Sequence, residues 1–95
     1  MESVKKELKV FTICITGAAG NVSRSLFEDL CNGSIFGENV AINLRLLDIE
    51  SKKKLVNGIK LELIDGAYPL LQSVEAVYLY EEAFRDIDIG IFCGG

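Results

Sequence analysis

Residues 13–23 read ICITGAAGNVS and hold three local signals in succession. The apolar run over 10–15 predicts a short buried strand, because strands of a parallel sheet are covered on both faces. Residues 16–20 form a glycine-containing turn, and a helical pattern begins at Asn21. In such a strand–turn–helix unit, backbone N–H groups and the positive end of the helix dipole can face a phosphate. The stretch therefore predicts a nucleotide-binding turn.

The apolar patterns that follow predict an alternation of strands and helices. This order is typical of an α/β fold with a doubly wound parallel sheet of about four strands, in the order 3-2-1-4. The chain ends directly after an apolar run, and a bare apolar strand at a sheet edge is an aggregation risk. We therefore expect a truncated half of a dinucleotide-binding domain over 1–95, without the carboxyl-terminal substrate domain. The predicted strands are 10–15, 40–49, 74–80 and 87–93, and the predicted helical segments are 21–31, 52–66 and 81–86.

Two details of this pattern are open to test. Ser51 is a candidate cap for the helix over 52–66. One apolar stripe of this helix is formed by Leu55, Ile59 and Leu63. A second apolar surface, which either a partner subunit or irregular packing within the monomer could cover, is formed by Leu61, Ile64 and Tyr68.

The composition excludes several functional classes. A formal net charge of −4 argues against nucleic-acid and anionic-membrane partners, which need clustered Lys and Arg. No stretch approaches the ~20 apolar residues of a membrane span, and the amino terminus lacks a signal core, so a cytoplasmic protein is expected. The three scattered cysteines, Cys14, Cys31 and Cys93, indicate reduced thiols rather than a metal site. Histidine, the commonest general acid or base, is absent, and we assign no catalytic residue.

Three elements form the candidate site. Gly17 and Gly20 suit the tight turn and the close approach to a pyrophosphate, and Ser23 replaces the third glycine of the dinucleotide fingerprint. Asp48 lies at the carboxyl end of the second strand, where an acidic residue accepts hydrogen bonds from the adenosine ribose and favours NAD over NADP. The last element, Gly94 with its neighbour, ends the fourth strand at the crevice where the strand order switches.

Beyond the glycine turn, five ordered blocks of this sequence resemble the cytosolic-type malate dehydrogenases, in the lactate/malate dehydrogenase superfamily. The resemblance covers about residues 8–95 and implies a Rossmann fold. The blocks are ITGAAGNV, NGSIFG, LRLLDI, LELIDGAYPLL and EEAFRDIDIGIFCGG.

The resemblance implies a role for each matching residue. Gly17 and Gly20 would hold the NAD diphosphate together with the Asn21 and Val22 amides. Asp48 would hold the adenosine ribose, and Gly94 would line the cofactor groove. The helix over 52–66 would lie at a homodimer interface. Two positions depart from the family: Asn21 replaces Gln, and Ser23 replaces Gly or Ala, which predicts looser contact between helix and strand.

By the same resemblance, the intact enzyme transfers hydride between NADH and oxaloacetate or malate. The family's substrate-binding arginines and catalytic His–Asp pair lie beyond the end of this chain, so the chain alone is expected to be inactive. Two alternatives stay open: a non-catalytic nucleotide-binding module, and a fragment of an extended short-chain reductase or epimerase. The blocks NGSIFG and LELIDGAYPLL argue against the second alternative.

Overall fold

The computed structural model of the protein describes residues 8–93, and of Val22 only the backbone. Within these residues four strands form one parallel sheet in the order 3-2-1-4, counted along the chain, which confirms the predicted α/β fold. The elements are β1 (Lys9–Thr16), α1 (Asn21–Cys31), β2 (Val40–Leu47), a 3-10 turn (Glu50–Lys52), α2 (Lys53–Asp65), β3 (Leu71–Val77), α3 (Tyr80–Phe84) and β4 (Ile89–Phe92).

The strand register brings the functional turns to one edge of the sheet. β1 pairs in parallel with β2, and Thr16 lies opposite Leu47 at the ends of both strands. Thr16 also pairs with Phe92 at the end of β4, on the other side of β1. Because β2 and β4 flank β1 on opposite sides, the strand order switches at the carboxyl end of β1. Ligands of open α/β sheets bind at such a point.

The two faces of the sheet are covered to different extents. On one face α1 and α2 pack over the central strands and bury Phe27, Leu30, Val56, Ile59 and Leu63. The opposite face carries a smaller cluster around the short helix α3. Its buried members are Cys14, Leu47, Val77 and Ala83.

Helix α1 has the predicted bounds because its two ends carry clear signals. The turn around Gly20 starts it, and Asn32 and Gly33 end it, with Gly33 at φ +89° in the left-handed region that glycine accepts. The break after α2 is also confirmed. The helix ends at Asp65, and Ala67 follows at φ +51°, just before Tyr68 and Pro69.

The predicted packing of α2 is wrong at its first turn. A separate 3-10 turn precedes the helix, so α2 starts one residue later than expected. Its buried stripe keeps the predicted Ile59 and Leu63, but Val56 takes the place of Leu55. Leu55 is 55% exposed. The predicted cap is also wrong: Lys52 occupies the N-cap position of α2, no side chain caps it, and Ser51 lies inside the 3-10 turn.

The strand bounds differ from the prediction by up to three residues, and β1 is one residue longer at each end. β2 ends at Leu47 rather than at residue 49, and β3 spans Leu71–Val77 rather than 74–80. The pairing between Leu47 and Val77 is the last of this ladder, so both strands end together. Residues 78–80 then leave the sheet to begin α3. β4 is likewise shorter than predicted, Ile89–Phe92.

Candidate functional site

The glycine turn after β1 is held by its own backbone. Gly17 has φ +63°, a left-handed conformation that glycine adopts at no steric cost. The Gly20 N–H donates to the Gly17 carbonyl at 2.9 Å and closes the turn. A Cβ on Gly20 would lie 3.2 Å from that carbonyl oxygen, tighter than ordinary contact. The left-handed backbone therefore favours glycine at position 17, and the close approach of the Gly17 carbonyl favours glycine at position 20.

The amino terminus of α1 opens from this turn. Gly20 is the N-cap, no described side chain caps it, and the first intrahelical hydrogen bond runs from the Arg24 N–H to the Gly20 carbonyl at 3.3 Å. The amides of residues 21–23 have no acceptor within the helix, as in the first turn of any α-helix. No acidic side chain occupies this turn, so these amides and the helix dipole are available to an anion.

Asp48 links the end of β2 to the glycine turn. Its Oδ2 accepts a hydrogen bond from the Ala19 N–H at 2.8 Å, and its Oδ1 accepts one from the Ile49 N–H at 2.7 Å. The Asp48 N–H in turn donates to the Val77 carbonyl at 3.4 Å. Each carboxylate oxygen has two lone pairs, so one on each oxygen remains for a ligand hydroxyl. The carboxylate thus shapes the loop and can bind a ligand as well.

Two adjoining cavities meet at Gly17 and Asp48. One has a volume of about 320 Å³, and the other, about 670 Å³, extends along the ends of β2, β3 and β4. Both volumes lie in the range of ligand sites, roughly 300–1,000 Å³. The smaller cavity is lined by Gly17, Ala19, Gly20, Asn21, Ser23, Asp48, Lys52 and Cys93. The larger is lined mainly by apolar and aromatic groups, among them Ile49, Tyr78, Tyr80, Phe84 and Phe92.

Four of the six predicted site residues thus lie together: Gly17, Gly20, Asn21 and Asp48 all line the smaller cavity. The backbone of Val22 belongs to the same first turn of α1. Gly94 lies outside the described residues, and its assignment stays a prediction.

The sequence did not identify Lys52 and Tyr78 as lining residues. Lys52 begins the lysine run 52–54, a pattern that predicts solvated surface. Tyr78 falls within the predicted strand 74–80, whereas in the structure it directly follows β3. The Tyr78 hydroxyl oxygen is buried and has no hydrogen-bond partner within the described part of the chain. Burial raises the pKa of this phenol, and the nearby carboxylates of Glu50 and Asp48 raise it further. The phenol of Tyr78 therefore keeps its proton at neutral pH.

The remaining candidate groups lie apart from a reactive site. Cys14 and Cys31 are free and buried, and burial raises the pKa of Cys31 to about 11, which makes it a poor nucleophile. Glu62 pairs with Arg24 at 3.5 Å on the surface. Among residues 8–93 no group of three His, Cys, Asp or Glu side chains is placed to bind a metal ion. None of the helices described there is both long and apolar enough to cross a membrane.

Comparison with known proteins identifies a family with this fold. Residues 11–95 match the family described as lactate/malate dehydrogenase, NAD binding domain. The chain is 43% identical over 82 residues to the cytoplasmic malate dehydrogenase of Rattus norvegicus, covering 86% of this chain and 25% of that protein. It is 36% identical over 83 residues to the malate dehydrogenase of Chlamydia muridarum, covering 87% and 26% respectively.

Solved structures agree with the sequence comparison. Malate dehydrogenase from Naegleria fowleri superposes with a TM-score of 0.88 at 40% identity, covering 90% of this chain and 26% of the other. Lactate dehydrogenase from Trichomonas vaginalis, solved with NADH and oxamate, gives a TM-score of 0.83 at 31% identity, covering 88% and 25%. The chain spans about a quarter of the length of these relatives. It belongs to the NAD-binding domain family of the lactate/malate dehydrogenases.

Proposed function

We propose that this chain binds NAD(H) at the carboxyl edge of its sheet and forms the cofactor-binding part of a malate dehydrogenase. One observation carries the proposal. The amides of the first turn of α1, which have no acceptor within the helix, and the Asp48 carboxylate border the same cavity. A larger, mainly apolar cavity adjoins it. A dinucleotide needs these three features for its diphosphate, its ribose and a base.

The residues present fit each part of the cofactor. The diphosphate would lie at the glycine turn, where the amides of Asn21 and Val22 point out of the first turn of α1. The adenosine ribose would donate to the lone pairs of Asp48 that the loop leaves free. A 2′-phosphate would meet the negative charges of Asp48 and of the nearby Glu50, so NAD(H) is favoured over NADP(H).

The proposed activity of the whole protein is hydride transfer between NADH and oxaloacetate or malate. The bound cofactor supplies the hydride chemistry, and this chain supplies its binding and orientation. The sequence contains no histidine, so the family's catalytic histidine has no counterpart among these residues. We therefore expect NADH binding without malate oxidation from the isolated chain.

Calorimetric titration tests the binding proposal. NADH should bind at least about tenfold more tightly than NADPH, because the second nucleotide brings a phosphate next to the Asp48 carboxylate. Asp29→Ala is a control that removes an exposed carboxylate on α1 away from the cavity, and it should keep the same preference for NADH. Absence of NADH binding at concentrations up to about 1 mM would contradict the proposal. Measurable malate oxidation would overturn the assignment of catalysis to residues outside this chain.

We also propose that the intact protein is a homodimer that associates through α2. The helix buries Val56, Ile59 and Leu63 against its own sheet, while Leu61 and Ile64, on another side of the helix, are 60% and 52% exposed. Tyr68, the third residue of the predicted second surface, is half-buried and packs against the core. Sedimentation over increasing concentration tests this. Leu61→Glu should shift the chain towards monomer, and Ser25→Glu, at an exposed position of α1, should not.

The proposed location is the cytoplasm, supported by the similarity to the rat protein of that name. Fractionation of cells that express a tagged chain checks this. Recovery with membranes or organelles would contradict it.

A further inference from the structure

Ser23 occupies an unusual position in the first turn of α1. It is fully buried, with 0% of its surface exposed, and it is the only polar residue in the buried core of the described chain. Its hydroxyl donates a hydrogen bond to the Gly17 carbonyl at 2.9 Å. A glycine or alanine at this point can only permit close packing of helix and strand, whereas Ser23 adds a donor there.

The Gly17 carbonyl receives two hydrogen bonds from the same side. The Gly20 N–H and the Ser23 hydroxyl both donate to it at 2.9 Å, and together they use its two lone pairs. The next amide, that of Ala18, donates to the Leu47 carbonyl at 3.2 Å. The peptide that joins Gly17 to Ala18 is thus fixed at both of its polar ends.

Fixing this peptide matters because Gly17 itself imposes no single conformation on it, so its orientation depends on these hydrogen bonds. Gly17 lies at φ +63°, and glycine populates several other regions about as readily. A rotated peptide would turn a carbonyl oxygen, with its partial negative charge, towards the cavity that Gly17 lines. Such a loop would repel a phosphate, and the apparent affinity would fall by the fraction of chains in that state.

We propose that Ser23 is a positioning residue for the nucleotide phosphates: its hydroxyl holds the Gly17 carbonyl against α1 and keeps the turn in the form that accepts a diphosphate. The proposal rests on the proposed binding of NAD(H) and adds a role for a side chain that itself has no exposed surface. It also explains how serine replaces a smaller residue here. The hydroxyl takes part in the contact between helix and turn instead of holding them apart.

The experiment compares a ligand that has the diphosphate with one that lacks it. ADP-ribose is titrated by calorimetry, and adenosine by NMR, into the full chain and into Ser23→Ala. The control is Ser25→Ala, at an exposed position of the same helix. Loss of the hydrogen bond should weaken ADP-ribose binding in Ser23→Ala by at least about twofold, with about tenfold as the limit set by the full free energy of one hydrogen bond. Adenosine binding should not change, and Ser25→Ala should bind both ligands as the unaltered chain does.

A second variant and a second measurement guard against misfolding. Ser23→Cys keeps a weak donor of similar shape and should bind ADP-ribose with intermediate affinity. Amide exchange at Gly20 should accelerate in Ser23→Ala, while exchange at Ala41 in β2 stays slow. If Ser23→Ala does not fold, the comparison of Ser23→Cys with Ser25→Ala decides.

The outcomes separate this inference from the function on which it rests. Unchanged ADP-ribose affinity in the Ser23 variants overturns the positioning role and leaves NAD(H) binding intact. An equal loss for ADP-ribose and adenosine also overturns it, because general loosening of the fold would have that effect. Failure of the unaltered chain to bind ADP-ribose overturns the proposed function, and the inference with it.

Discussion

Replacement of Asp48 separates its structural role from its proposed role in binding. Its carboxylate accepts the Ala19 N–H at 2.8 Å, which ties the glycine turn to the end of β2, and the Ile49 N–H at 2.7 Å. Hydrogen bonds to a charged group contribute about 1.5–3 kcal/mol each. The bond to Ile49 is exposed, so we count only the partly buried bond to Ala19. Asp48→Ala should therefore lower the free energy of unfolding by about 1.5–3 kcal/mol.

Asp48→Asn is the more informative variant. The amide keeps one acceptor oxygen, so the tie to Ala19 can persist, while the negative charge and one acceptor for the ribose are lost. We expect about a tenfold weaker affinity for NADH in Asp48→Asn, at a smaller cost in stability than in Asp48→Ala. The affinity for NADPH should fall less, or rise, because the charge that opposes its extra phosphate is gone.

Urea unfolding followed by circular dichroism gives the stability, and calorimetry gives the two affinities. Asp29→Ala is the control for a general loss of negative charge. If both Asp48 variants lose stability but bind NADH as before, the carboxylate only stabilises the glycine turn. The assignment of Asp48 to the adenosine ribose is then refuted. If the NADH to NADPH ratio stays constant in Asp48→Asn, the reasoning on cofactor preference fails.

Three further predictions concern the fold. Val56→Ala should lower the free energy of unfolding by about 2 kcal/mol, because Val56 is 0% exposed. Leu55→Ala should change it by no more than about 0.5 kcal/mol. Urea unfolding measures both variants, and equal losses would contradict the packing of α2. Gly17→Ala should lower the free energy of unfolding by about 1–2 kcal/mol, since alanine is strained at φ +63°. An unchanged free energy in the same assay would argue against the left-handed conformation of Gly17. Burial raises the pKa of Cys31 from 9.0 to about 11. Between these two pH values the thiol is ionised in the unfolded chain but still protonated in the folded one, so the free energy of unfolding falls as pH rises through that interval. Unfolding at stepped pH should show this loss, and Cys31→Ala should reduce it.

The sequence was sufficient where a local signal and a tertiary requirement agreed. The bounds of α1 follow from the glycines at its two ends, and the sheet order follows from alternating strands and helices. Asp48 could be placed at the site because the carboxyl ends of parallel strands lie at one edge of the sheet. These features depend on backbone geometry and on periodic burial, and both can be read from residue order.

The sequence was insufficient where a small shift changes which side chains face inward. The buried stripe of α2 keeps the predicted Ile59 and Leu63, but its first member is Val56 rather than Leu55. Positions three and four residues before Ile59 lie on nearly the same face of a helix, so the pattern alone does not choose between them. Tertiary packing buries Val56 and leaves Leu55 exposed. Tyr78 was missed for a related reason. The end of β3 is set by the end of its partner β2, a long-range constraint that residue patterns do not contain.

The hydrogen bonds of the glycine turn also refine how it would bind a phosphate. The Ala18 N–H donates to the Leu47 carbonyl, the Ala19 N–H to Asp48, and the Gly20 N–H to the Gly17 carbonyl. These three amides are already paired within the protein, so they are not the natural donors for a diphosphate. The donors that remain are the amides of the first turn of α1, which follow Gly20 and have no acceptor in the helix. Gly17 and Gly20 would then serve mainly by their shape: they let the chain turn tightly enough to bring the start of α1 to the end of β1.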